Sequence, residues 1–474
     1  MRMQSRRQFL DAGLGFGSLA LATLLHHETA LKAAPAVAGP LTPKLPHFAP
    51  KAKSVIWLFM TGSPSQVDTF DYKPELQKRD GQALAGADPK TGFFTTSGKC
   101  LKSPFAWAQH GQSGAWVSDL FPHISNHVDD MAFVHSCYST ANNHAPAAFL
   151  ISGGLAKPGF PCLGAWVTYG LGTVNQNLPA YVVMHGPKPR GDDGIWAPGF
   201  LPKSYQALAV GTSAREPIPH LSRAQSLSDE QQRGQLDLIR LMNQEHQSTR
   251  PLEGDLSARI DSFELAYRMQ MAAPEAFDVS RETVETRRLY GVDQKETQMF
   301  GRQCLTARRL VERGVRFVQL FCDSPGGTQE PADVPWDCHK DLKANHTANA
   351  RATDQPIAAL LADLKAKGLL DSTLVIWSGE FGRTSDSQGA AGRDHNPHAF
   401  TIWMAGGGVK GGVHHGTTDE FGYKAIDNRV HPNDLHATIL HLLGLDHEKL
   451  TYRHNGRDYR LTDVAGKLIE PILA

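Results

Sequence analysis

Three short segments of the 474-residue sequence set carboxylates beside imidazoles or a guanidinium. The first is Trp336-Asp337-Cys338-His339, with Asp341 and His346 close behind. The second is Glu380 with Arg383. The third is Arg393-Asp394-His395-Asn396-Pro397-His398. Aspartate offers a hard oxygen and histidine a borderline nitrogen, a mixture that suits one divalent ion such as Zn, Mn, Fe or Ca. An ion held this way can bind a phosphate or sulfate oxygen and activate water or a hydroxyl nucleophile. Arg383 is expected to clamp an anionic oxygen through both arms of its guanidinium. Spacing alone leaves a plainer alternative open. Asp394 and His395 would then bond loop backbone, and Arg383 would pair with Glu380. With 22 histidines in the chain, some must be bystanders. His414, His415, His431, His436, His441 and His447 are expected in a loop or on the wet side of the last helix.

These segments need a scaffold that brings them to one place. Short apolar runs at 54–60, 131–135, 181–184, 315–321, 373–377 and 400–404 read as buried strands. Helical patterns lie between them. One opens over 147–151, where Pro146 fits a first turn. Others cover 304–313, 354–367 with Asp354 as its cap, and 433–443. Helices alternating with buried strands predict a mostly parallel sheet covered on both faces, and strand ends in such a sheet converge on one rim. Residues 226–298 change character to a Glu-, Gln-, Arg- and Leu-rich stretch. Leu236, Ile239, Leu241 and Met242 suggest one helix, and Phe263, Leu265, Ala266 and Met269 another, together a helical insertion or cap.

The first 38 residues read as a signal peptide. Ser5-Arg6-Arg7-Gln8-Phe9-Leu10 is a paired-arginine motif. A weakly apolar run of about 14 residues follows, short of the ~20 that span a bilayer, and Ala36-Val37-Ala38 offers a cleavage site. The expectation is export through the twin-arginine translocase to the periplasm or outside the cell, without stable membrane insertion. Residues 39–50 hold four prolines and read as a linker, leaving 51–474 as the working domain. The whole chain is neutral, and the chain after residue 38 carries about −2 charge, which argues against nucleic acid as a partner. Six cysteines, at 100, 137, 162, 304, 322 and 338, show no metal-type pairing. Cys338, inside the first polar segment, is expected to be a free thiol.

Larger motifs frame these residues. Gly62-Ser63-Pro64-Ser65-Gln66-Val67-Asp68-Thr69-Phe70-Asp71 follows the first strand. Trp336–His339, Gly379–Thr384 and Gly392–Pro397 come next, then the glycine-rich Ala405–Gly412 and the helix Asp434–Gly444. By these motifs the chain resembles a bacterial family of unknown function (DUF1501) that is exported by the twin-arginine route. That family resembles the alkaline phosphatase and sulfatase superfamily. The resemblance implies a three-layer α/β/α sandwich and a rim-located metal site, with Asp337, His339 and His395 as ligands. It also exposes departures. Thr61-Gly62 offers no carboxylate for a second ion, and Glu380-Phe381 replaces an Asp-His pair. His144-Ala145-Pro146-Ala147-Ala148 stands where sulfatases carry the residue that becomes formylglycine. The resemblance thus implies at most one ion and a hydrolase of phosphate or sulfate esters that does not use formylglycine. Glu380 would serve as ligand or base, His144 as base or ligand, and Arg383 as the anion clamp. Ser63, Ser65 and Ser139 are the alternative nucleophiles. The competing reading is a non-catalytic envelope protein that binds a glycan or protein partner around a degenerate metal site.

Overall fold

The computed structural model describes residues 39–474, apart from 85, 87, 89–90, 187–190, 213–217, 219–227, 249–253 and 323–334. The signal peptide lies outside the described residues. Eight strands form the central sheet: β1 (Ser54–Phe59), β2 (Met131–Cys137), β3 (Tyr181–His185), β4 (Leu208–Gly211), β5 (Phe317–Phe321), β6 (Thr373–Ser378), β7 (Phe400–Ala405) and β8 (Val413–His415). Their spatial order is β8-β2-β7-β6-β1-β5-β3-β4. All pairings are parallel except those of β7, which runs antiparallel to both β2 and β6.

Alternation along each strand divides the core into two layers. On β1, Ile56 and Leu58 face one layer, while Val55, Trp57 and Phe59 face the other. The same split holds on β6 (Val375 and Trp377 against Leu374 and Ile376) and on β7 (Trp403 against Ile402 and Met404). Period-2 side chains that are apolar on both faces need a helical cover on each. One layer is closed by α5 (Gln298–Glu312) and α6 (Leu342–Ala366). The other is closed by α1 (His144–Gly153), α2 (Leu163–Leu171) and α7 (Pro432–Leu442). The result is the expected three-layer α/β/α sandwich.

Some local expectations need correction. The helix expected to begin at Asp354 begins twelve residues earlier. Asp341 caps it, its side chain accepting from Ala344 N at 3.0 Å. Asp354 is a mid-helix residue whose carboxylate accepts from the His123 and Ile124 backbone N–H groups at 2.9 and 2.8 Å. His436 is fully buried rather than wet, with Nε2 2.7 Å from Ile151 O. Residues 40–50 lie on the body of the domain: Lys44 N donates to Leu171 O and His47 N to Gly444 O, at 3.0 and 2.9 Å. The stretch 226–298 contains the helices α3 (Asp229–Ser248) and α4 (Gly254–Phe277), joined by Arg233 of the first bonding to Glu264 of the second. Leu241 and Met242, expected on its buried face, are exposed. Among the described residues no helix is long and apolar enough to cross a membrane.

Candidate metal centre

The loops after β1 and β6 meet at the rim of the sheet. Ser63 is held at φ 64°, a conformation that side chains disfavour. Its hydroxyl oxygen accepts from the backbone N–H groups of Glu380 and Phe381, both at 3.1 Å. A Cβ at Gly379 would crowd Ser63, so glycine there lets the two loops touch. Gln66 bridges the same loops, accepting from Arg383 N and donating to Arg383 O at 2.9 and 2.8 Å. Asp68, fully buried, pairs with the equally buried Arg393 at 2.6 Å. The first, third and fourth sequence motifs therefore interlock. Arg383 and His395 sit opposite each other in a two-residue antiparallel ladder, Gly382–Arg383 with His395–Asn396.

This frame gathers His144, Asp337, His339, Glu380, Arg383 and His395 around the carboxylate of Asp337. His339 Nε2 lies 2.8 Å and His395 Nε2 3.3 Å from Asp337 Oδ1; His144 Nε2 lies 3.2 Å from Oδ2. Arg383 Nη2 approaches Oδ1 at 2.7 Å. Each imidazole turns its other nitrogen to an oxygen. His144 Nδ1 is 2.6 Å from Glu380 Oε1, His395 Nδ1 is 2.7 Å from Asn142 O, and His339 Nδ1 meets Gln388 Oε1. A carboxylate and a carbonyl only accept, so Nδ1 of His144 and His395 carries the ring proton in the neutral form. Nε2 is then left with its lone pair. With the rings neutral, the Nε2 lone pairs of His144 and His395 face the Asp337 carboxylate beside the donating Arg383, an arrangement that a further proton or a cation resolves.

Two further atoms fit an ion. His144 Nε2 and Glu380 Oε2 are both buried without a hydrogen-bond partner among the described residues. His144 Nε2 is near Asp337, but the angle makes no hydrogen bond. Two donor groups have their atoms within 4.8 Å of one another: His144, Asp337 and His395, and also His339, Asp394 and His395. Both need His395, whose Nδ1 is already taken, so they compete for one nitrogen. The His144–Asp337–His395 cluster is able to hold one divalent ion. Its hydrogen-bonded Nδ1 atoms supply the outer partners that orient such ligands.

Burial and charge tune the groups. Burial pushes the Asp337 carboxyl up, but Arg383 and the three histidines hold it well below the usual carboxylate range. Burial lowers His144, and the neighbouring carboxylates of Asp337 and Glu380 outweigh that and raise it. His395 is lowered to about 3, chiefly by burial, with Arg383 adding to the effect. Burial raises Asp394.

Several sequence expectations change at this point. Asp394 enters as a donor, and His144, expected as base or ligand, lies in a group that could hold an ion. His398 is in neither group. Arg383, expected as an anion clamp, directs its guanidinium at Asp337, Gly62 O, Ser63 O and Arg393 O, and is fully buried. The candidate nucleophiles are engaged and buried. Ser63 Oγ holds the Glu380 loop, Ser65 Oγ donates to Asp68 at 2.5 Å, and Ser139 Oγ donates to Ala141 O at 3.1 Å. Cys338 forms no disulfide, and burial raises its thiol.

Solved structures with a similar course of chain exist at low identity. The lipoteichoic acid synthase LtaP from Listeria monocytogenes is 9% identical, covering 89% of this chain and 78% of that one, with a TM-score of 0.36. The phosphonate monoester hydrolase SpPMH from Silicibacter pomeroyi is 14% identical, covering 74% and 71%, with a TM-score of 0.37. A protein in the alkaline phosphatase superfamily from Vibrio parahaemolyticus is 13% identical, covering 90% and 75%, with a TM-score of 0.36. At this distance no role passes from them to this chain. No curated protein matches it. The profile of the family described as "Protein of unknown function (DUF1501)" matches residues 52–473, nearly all of the sequence after the linker, and the chain therefore belongs to that family.

Proposed function

We propose that this protein is an exported hydrolase of phosphate or sulfate esters that works with one divalent ion. The observation that carries the reading is the orientation of the histidines, with Nδ1 tied to outer acceptors and Nε2 turned on Asp337. Asp337, His144 and His395 hold the ion, and His339 with Asp394 borders it. When bound, the ion polarises the ester oxygen and lowers the pKa of water. Arg383 positions Asp337. Glu380 orients His144 through Oε1, and its unpartnered Oε2 accepts the proton of the attacking water. Ser63, Ser65 and Ser139 are occupied, so water is the nucleophile and formylglycine chemistry has no place.

A second reading rests on Arg383. Its guanidinium already sits 2.7 Å from Asp337 and supplies one positive charge to the cluster. In that case the site is degenerate, and the protein binds a glycan or protein partner in the envelope. Elemental analysis of protein purified without chelator separates the two, followed by an ester panel with the metal restored. The hydrolase reading expects about one ion per chain and turnover of at least one ester class. Far less than one ion per chain, even after incubation with Zn, Mn, Fe, Ca or Mg, sinks it. Export is tested separately: replacing Arg6 and Arg7 with Lys should hold the precursor in the cytoplasm. Normal processing of that variant would overturn the twin-arginine route.

A further inference from the structure

The loop at residues 91–94 borders the cluster on the side where His339 reaches solvent. It carries Phe93 and Phe94, which are 50% and 49% exposed. Leaving two such rings half in water is unfavourable, yet the loop is pinned. Asn142 Nδ2 donates to Gly92 O at 3.2 Å, and Phe94 N donates to Asp394 Oδ2 at 2.6 Å. A Cβ at position 92 would collide with the Asp394 carboxylate, so Gly92 lets the loop backbone close on the cluster. The two phenyl rings stand edge to face, 5.0 Å apart at 80°. Phe94 meets the His339 ring at 5.1 Å and Phe93 the His395 ring at 5.7 Å. A fixed pair of half-exposed rings therefore adjoins the candidate ligands.

Resting on the hydrolase reading above, we propose that Phe93 and Phe94 form the subsite for the alcohol half of the ester, and that this half is a six-membered ring. The anionic group would lie on the Asp337 cluster, and the ring would lie on the face of one phenyl ring and against the edge of the other. Rings set edge to face offer one phenyl face and one phenyl edge, a notch that an aryl or pyranose ring fills by stacking on the first and meeting the second, and that a methyl group leaves uncovered.

The test is calorimetric binding of phenyl sulfate, glucose 6-sulfate and methyl sulfate, with their phosphate counterparts. It uses the full mature protein, with Zn(II) and after chelation. At least one ring ester should bind roughly tenfold tighter than its methyl counterpart, and which ring does so identifies aryl or pyranose. The preference should vanish in the Phe93→Ala, Phe94→Ala double variant and in Phe94→Leu, and persist in Phe94→Tyr. Both side chains are half exposed, so unchanged melting temperatures should accompany the loss. Ring esters bound equally well by the double variant would overturn the subsite. Phenylalanine-dependent binding without turnover would keep the subsite and sink the hydrolase. No binding of any ester would overturn both.

Discussion

Two buried charge clusters in this molecule are built in opposite senses. Arg308, 2% exposed, sits among Glu282, Glu312 and Asp363 at 2.7, 2.7 and 2.9 Å, and Tyr290 donates its hydroxyl to Asp363 at 3.0 Å. Its centre is a permanent cation and its surround is anionic. Around Asp337 the centre is an anion, while the surround is one guanidinium and three imidazoles. The first cluster is complete with protein charges alone. The second turns lone pairs inward and has room in its chemistry for a further cation. Burial alone therefore does not mark a functional site; the sign and protonation of what faces the centre does.

The largest effect expected is at the structural cluster. Arg308→Ala removes the cation that Glu282, Glu312 and Asp363 share, leaving Glu282 to Arg309 and Asp363 to the Tyr290 hydroxyl, and should destabilise the protein by about 3 kcal/mol. Denaturant unfolding should show that loss equally with and without chelator. Chelation should act only on the other cluster. Removing an ion present at about 100 times its Kd costs about 2.7 kcal/mol. A lower melting temperature is expected for the wild type after chelation and none for His395→Ala. Equal shifts in both proteins would erase the contrast between the clusters.

Protons probe two buried histidines outside both clusters. Burial lowers His346 to about 3 and His436 to about 4, from an ordinary 6.5. The unfolded chain takes up protons that the folded chain refuses. Their contribution is complete above pH 6.5 and falls as the pH drops toward 4. The slope should approach about 1.4 kcal/mol per pH unit for each histidine. His436→Gln should flatten the stability profile in that window. The smallest effect belongs to His447, whose Nδ1 is 3.0 Å from Thr462 Oγ1. His447→Ala should cost about 1 kcal/mol or less and leave the metal content unchanged.

The strands at 54, 131, 181, 317, 373 and 400 were legible because each is an apolar run buried on both faces. The edge strands Leu208–Gly211 and Val413–His415 were not, being short and only partly buried. The start of the Leu342–Ala366 helix was hidden by its polar first turns and by Pro356 inside it. The signal that could have found it is Asp341 at the cap. Of the candidate site, the sequence supplied the three polar segments but not their partners. His395 rather than His398 turns inward because its Nδ1 reaches Asn142 O, a contact that no local pattern encodes. Asp394 stood in a quoted motif, yet only the fold brings it beside His339, 3.7 Å away. Arg383 looked free for a substrate because the carbonyls of Gly62 and Ser63 that receive it are over 300 residues distant.

The antiparallel run of Phe400–Ala405 has a consequence for assembly. Because this strand points against its neighbours, the segment that precedes it reaches the rim where their far ends finish. The His395–Asn142 bond closes across 253 residues. A nascent chain that has not yet laid down this reversed strand lacks a complete set of donors, whatever else has already collapsed. Non-local closure of this kind comes late in folding. Capture of an ion would then be an event of the finished molecule, and ion content a readout of how many chains in a preparation have completed their synthesis and folding.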